Sequence, residues 1–123
     1  MNIILDRGSI YYCRRLKLLT GKNSTIICDK YILLLQGGNF FRKSNKVNIL
    51  LGTSKKTEVF NIYPTDVLIE AKSSDFPENT KFNCGEIYIM HKVDVLKSEY
   101  KFQLSNEQME EIGKKLILGL QIS

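Results

Sequence analysis

Two short apolar runs organise the chain. Tyr31-Ile32-Leu33-Leu34-Leu35 is followed by Gly37-Gly38, and Val47 to Leu51 is closed by Gly52-Thr53-Ser54-Lys55-Lys56. Each is too short for a helix, and the first predicts a central strand covered on both faces. Before them, Arg7-Gly8-Ser9 reads as a turn and Ile10-Tyr11-Tyr12-Cys13 is β-favouring with period-two character. The stretch from Leu16 to Ser24 holds a loop signal, Thr20-Gly21-Lys22-Asn23-Ser24. Asp66-Val67-Leu68-Ile69-Glu70 predicts a short strand just after Pro64, and Asp75-Phe76-Pro77-Glu78-Asn79 a turn. Residues 81–83 and 86–93 are further strand candidates, the second with Ile87 and Ile89 alternating with Glu86 and Tyr88. The end of the chain changes period. Ser105 is placed to cap a helix, Gln108 to close a capping box, and Leu104 to staple onto Met109. Met109, Ile112, Leu116 and Leu120 then share one stripe, which reads as core against a sheet. Five or more strands followed by one helix predict a mainly β fold, a small, largely antiparallel barrel or half-barrel.

Composition agrees and excludes alternatives. The chain has 123 residues, 43% of them hydrophobic and 25% charged, as expected of a single domain over residues 1–123 with a buried core. That balance excludes intrinsic disorder, collagen-like, coiled-coil and low-complexity readings. No apolar run approaches the roughly 18 residues of a membrane span. The start, Met1-Asn2-Ile3-Ile4-Leu5-Asp6-Arg7, meets an acid and a base after three apolar residues, unlike a signal peptide, so a soluble cytoplasmic protein is expected. Cys13, Cys28 and Cys84 lack CxxC spacing and His91 is the single histidine, so the ligand set of a zinc site is absent and half-buried thiols are expected. No Gly-rich phosphate loop, nucleophile elbow or internal repeat occurs.

Charge is uneven along the chain. Residues 1–60 carry eleven basic and three acidic side chains, a balance of +8; residues 61–123 carry seven and ten, a balance of −3. A basic first half suits one face that meets a polyanion. Arg14, Arg15, Lys17 and Lys22 flank the Gly21 loop, and Ser54, Lys55 and Lys56 follow Thr53. With Gln36 at the far end of the first apolar run, these are the RNA-binding candidates. Tyr12 and Tyr31 could stack unpaired bases or, alternatively, fill the core. His91 has no Ser or Cys partner nearby in sequence and reads as structural or surface. Carboxylates form no pair suited to a metal. What remains is phosphate chemistry without metal or other cofactor, using Lys30 at the start of the first apolar run and Thr53 at the end of the second.

Six segments, in order, resemble the MazF/PemK toxin family. Arg7-Gly8-Ser9-Ile10-Tyr11-Tyr12 resembles its (R/K)-G-D-I-Y-Y opening, and Tyr31-Ile32-Leu33-Leu34-Leu35-Gln36 its R-P-V-L-I-I-Q strand. Asn48-Ile49-Leu50-Leu51-Gly52-Thr53-Ser54 is similar to the strand that ends in T-S. Asp66 to Ile69 and Phe82 to Ile87 resemble later strands, and Leu104 to Ile112 the closing helix. The resemblance implies an SH3-like barrel with a C-terminal helix, a homodimer, a small acidic antitoxin as partner, and metal-free, sequence-selective cleavage of single-stranded RNA through its 2′-hydroxyl. It assigns catalysis to Thr53 and to Lys30, which stands where the family has arginine; Tyr31, Ser9 and Tyr88 replace its proline, aspartate and a second arginine. Lysine is a point charge without arginine's planar fork. Arg14, Arg15 and Arg42 are candidates for a substitute. The alternative reading is a non-catalytic PemK-like module that binds nucleic acid or a protein through the basic half.

Overall fold

The computed structural model describes residues 6–19, 25–37, 44–54 and 62–122, with 17–19, 25–28 and 122 described through the backbone alone. Strands β1 (Ser9–Leu19), β2 (Thr25–Leu34) and β3 (Lys46–Thr53) form its centre. They are followed by β4 (Asp66–Ile69), a 3₁₀ turn (Ala71–Ser73), β5 (Thr80–Asn83) and β6 (Tyr88–His91). A short helix α1 (Lys92–Leu96), strand β7 (Glu99–Gln103) and helix α2 (Asn106–Ile122) complete the order. The strands form one antiparallel sheet in the order β4-β5-β3-β2-β1-β7, with β6 also on β3. The result is a curled half-barrel closed by α2.

Alternation along the central strands builds a core on each face. Ile10, Leu33 and Leu50 pack with Phe76, Phe82 and the α2 residues Met109 and Ile112. Their neighbours Tyr11, Ile32 and Ile49 pack on the other face with Leu16, Val47, Met90 and Val95. Apolar runs are what such doubly covered strands require, and both predicted runs are strand, but β2 begins six residues before its run, at Thr25, so Lys30 lies inside the strand rather than at its start. Around Phe76 the first core is aromatic: the rings of Tyr31, Phe102 and Phe82 lie 4.9, 4.7 and 6.0 Å away.

The helix start also follows expectation. Ser105 N–H donates to Gln108 Oε1 at 2.9 Å, and Gln108 N–H donates back to Ser105 Oγ at 3.2 Å. Leu104 and Met109 are both buried in the first core. The stripe ends early, however: Leu120 is 72% exposed, and it is the neighbouring Gly119 that faces the rest of the chain, where a Cβ would lie 3.2 Å from Cys84 O.

Other expectations are corrected. The Leu16 end of the first loop signal belongs to β1, which continues to Leu19 beyond a bulge; Thr20 to Ser24 lie outside the described residues. The 86–93 segment is strand only from Tyr88 to His91, since its partner β3 begins at Lys46, opposite His91. There Lys92 N–H donates to Asn45 O at 2.7 Å and the chain turns into α1, which buries Val95. Within β6 it is Tyr88 and Met90 that point inward, leaving Ile87 and Ile89 exposed. Strand β7 was not anticipated; an extra residue, Lys101, opposite β1 turns Tyr100 to the Tyr11 side and Phe102 to the Phe76 side. Cys13 and Cys84 are buried rather than half-buried, and the side chain of Cys28 lies outside the description.

Burial, and secondarily the Asp66 carboxylate, pushes the Cys84 thiol up to about 12. Burial, with Tyr100 and Asp6, pushes the Tyr11 phenol up to about 12 as well. Both groups are held neutral by folding, whereas the unfolded chain ionises them from 9.0 and 10.0 upward. The stability they contribute is therefore intact below about pH 9 and lost as pH rises towards about 12, by at most about 1.4 kcal/mol per pH unit for each group. Urea midpoints measured from neutral to alkaline pH should fall above about pH 9. Cys84→Ala should make that fall shallower, and a flat parental profile would contradict the assignment.

Candidate functional site

Strand register builds the site. Cys13 pairs with Lys30 across β1 and β2, and Tyr31 pairs with Gly52 across β2 and β3. The β2–β3 ladder ends at that couple, and Lys30 and Thr53 are the next residue on each strand, so alternation puts both on one face. On the other edge of β3, Thr53 pairs with Lys81 of β5, which in turn pairs with Leu68 of β4. Directly opposed residues share a face of a sheet. Lys30, Thr53 and Lys81 therefore form a transverse row on the face opposite the Phe76 core. Paired strands lie about 4.8 Å apart, so the row is the width of a phosphate and its neighbours.

Gly52 holds this end of β3 close to β5. A Cβ there would lie 2.7 Å from Cε1 of Phe82, a fully buried ring, so only glycine fits without displacing it. Lys81 was not among the sequence candidates. Its ammonium is buried, 3.4 Å from Asp66 Oδ2 and 5.5 Å from the centre of the Tyr63 ring. Asp66 Oδ2 also accepts from Tyr63 N–H at 2.8 Å. A lysine at the start of a short strand reads from sequence as a solvated edge, and only the lattice of pairs reveals its neighbours.

Beside the row, on the β1 side, lies a groove of about 780 Å³ lined by Cys13, Arg14, Arg15, Tyr88, Ile89 and His91 among others. The β1 bulge between Cys13 and Leu16 creates its basic wall. Arg15 sits in the left-handed region at φ 57°, and its N–H donates to Asp29 Oδ1 at 2.7 Å, which stabilises the kink. Both arginines are exposed; Arg14 stands 3.8 Å from Glu99 and 5.5 Å from the Tyr12 ring. An ion pair this exposed contributes little, so the guanidinium can exchange partners readily.

The remaining candidates divide. Ser54 is half-buried directly after Thr53. Lys17 is in β1, paired with Ile27, its side chain outside the description. Lys22, Arg42, Lys55 and Lys56 lie outside the described residues. Gln36 is not brought to the row: it follows the opposite end of β2, roughly 20 Å from Lys30 along the strand. There its Oε1 accepts from Asn48 N–H at 3.0 Å. Tyr31 packs on Phe76 and serves the aromatic core, whereas Tyr12, edge-on to Tyr31 at 5.0 Å, is half-buried and lines the groove. His91 is exposed at the end of β6. Among the described residues, no three His, Cys, Asp or Glu side chains gather into a set that could hold a metal, and no helix is long and apolar enough to cross a membrane.

No family model matches the sequence, and no curated protein matches it. Solved structures do match. MazF from Deinococcus radiodurans superimposes with a TM-score of 0.73 at 12% identity, over 98% of this chain and 99% of that one. An endoribonuclease from a mycobacterial species gives 0.68 at 19% identity over 98% and 94% of the two chains. A mycobacterial endoribonuclease solved in complex with its cognate antitoxin gives 0.67 at 18%, over 96% of each. At such identities the likeness is one of fold, end to end, and the fold of this chain is that of MazF.

Proposed function

We propose that this chain, as a single domain over residues 1–123, is an endoribonuclease toxin of a toxin–antitoxin pair, cleaving single-stranded RNA sequence-selectively without a metal or other cofactor. The observation that supports the proposal is the β2–β3 ladder, which stops at Tyr31 and Gly52 so that Lys30 and Thr53 follow it on the same face, near a groove walled by Arg14 and Arg15. In this reading the 2′-oxygen of the RNA attacks the neighbouring phosphorus and its proton passes to solvent. Thr53 donates to a non-bridging oxygen, and Lys30 neutralises charge on the pentacovalent intermediate. As the P–O5′ bond breaks, Lys30 gives its proton to the departing oxygen, leaving a 2′,3′-cyclic phosphate and a 5′-hydroxyl.

The groove arginines and Ser54 would bind phosphates, joined by Lys17, Lys22, Lys55 and Lys56. A cytoplasmic location and a small acidic antitoxin belong to the same reading; the solved MazE–MazF complex from Deinococcus radiodurans, with the same fold, supports such a partner. Self-association is part of it too. Ile89 and Val93 are 63% and 59% exposed on consecutive elements, with Ile87, Leu96 and Tyr100 exposed nearby in sequence, an apolar surface suited to a second copy.

Two outcomes check the proposal. Lys30→Ala should slow cleavage by at least about a hundredfold, as loss of one charge-stabilising donor does, while Lys30→Arg should retain or raise it. Parental rates in Lys30→Ala would sink the assignment, and RNA binding by a parent that never cleaves would favour the non-catalytic module instead. Sedimentation should find a dimer at micromolar concentration that Ile89→Asp shifts towards monomer. A parental chain that is only monomeric would contradict the dimer.

A further inference from the structure

We infer that Lys81 is a second cationic catalytic residue, held on Asp66 in the free protein and transferred to the scissile phosphate when RNA occupies the Thr53 row. This rests on the endoribonuclease reading above, and it concerns a residue that reading does not use.

Placement comes first. Lys81 pairs directly with Thr53 on its β5 side, and Lys30 follows the last β2–β3 couple, Tyr31 and Gly52, so strand alternation puts all three on one face. A phosphorane carrying two negative charges is poorly matched by one lysine, which unlike arginine is a point charge. Two ammonium groups, one from each side of the threonine, match it. The four-carbon lysine stem can bridge the ~4.8 Å to the neighbouring strand, so Lys81 need not move its backbone to reach the space over Thr53.

Burial is the second observation. The Lys81 and Asp66 side chains are 9% and 2% exposed. Lysine is almost never this buried without a partner, and a buried ion pair seldom stabilises a fold more than apolar side chains of the same volume would. Stability therefore gives weak grounds for a charged pair here.

The Asp66 contact itself is a long one. Its 3.4 Å separation exceeds the roughly 2.7–2.9 Å of a tight charge-assisted hydrogen bond. Asp66 keeps its 2.8 Å bond from Tyr63 N–H when the ammonium departs, so the carboxylate is not stranded. The Tyr63 ring, itself 64% exposed, lies 5.5 Å from the ammonium.

The test compares Asp66→Asn/Lys81→Met, Lys81→Arg and Asp66→Asn with the parent on a long mixed-sequence RNA transcript in chelator. The double variant removes both charges together, so no buried carboxylate is left alone. It should fold cooperatively yet cleave at least about a hundredfold more slowly. Lys81→Arg should recover most of the rate, and Asp66→Asn, which frees the lysine but keeps an acceptor for Tyr63, should cleave at least as fast as the parent. Parental rates in the double variant would overturn the inference. So would a folded Asp66→Asn protein that loses cleavage, or a Lys81→Arg protein that recovers nothing, since each would mark the pair as purely structural. Should the parent itself not cleave, the endoribonuclease reading fails separately. Binding to mixed-sequence single-stranded DNA then decides about Lys81: its salt slope should drop by about 0.7 in the double variant if Lys81 meets phosphate, and an unchanged slope rejects it.

Discussion

The register of β3 is the constraint on which the rest depends. This strand carries β2 along one edge and, on the other, β6 over its first half and β5 over its last residues. A slip of one position would reverse every side chain on it. Leu50 would leave the Phe76 core, and Thr53 would turn towards the aromatic cluster. The site and the hydrophobic core are thus specified by the same ladder, and the core enforces it. Packing of the buried Phe82 ring against Gly52 fixes the β3–β5 pairing immediately before Thr53.

Much of this was legible in the sequence, for identifiable reasons. The run at 31–35 is continuous, and that at 47–51 is broken only by Asn48, because both faces of β2 and β3 are covered. Helix α2 announced itself through Ser105 and Gln108, whose reciprocal hydrogen bonds are local. Features set by distant partners were not legible. The length of β6 is decided by where β3 begins, at Lys46 opposite His91 and far earlier in the chain, and the exposure of Leu120 by Gly119 being the residue that meets Cys84 there. Strand β7 hid behind the charges of Glu99 and Lys101, although Tyr100 and Phe102 gave a faint signal.

The same distinction holds for the site. Lys30 and Thr53 could be named because they flank the two clearest apolar runs. Their spatial relation needed the pairing, and Lys81 needed two pairings at once. Tyr31 shows the opposite limit: composition cannot distinguish an aromatic platform for bases from an aromatic core, and its edge-on stack onto Phe76 puts it in the core. The charge asymmetry of the halves locates a basic wall, which the β1 bulge then presents through Arg14 and Arg15.

An account built on a cationic row around a hydroxyl, rather than on a bound metal, makes one direct chemical claim. Purified protein incubated with long RNA in excess chelator should yield fragments that end in 2′,3′-cyclic phosphate, and single-stranded DNA, which lacks the 2′-hydroxyl, should stay intact. Intact RNA under those conditions, or fragments ending in a 3′-hydroxyl, would contradict it.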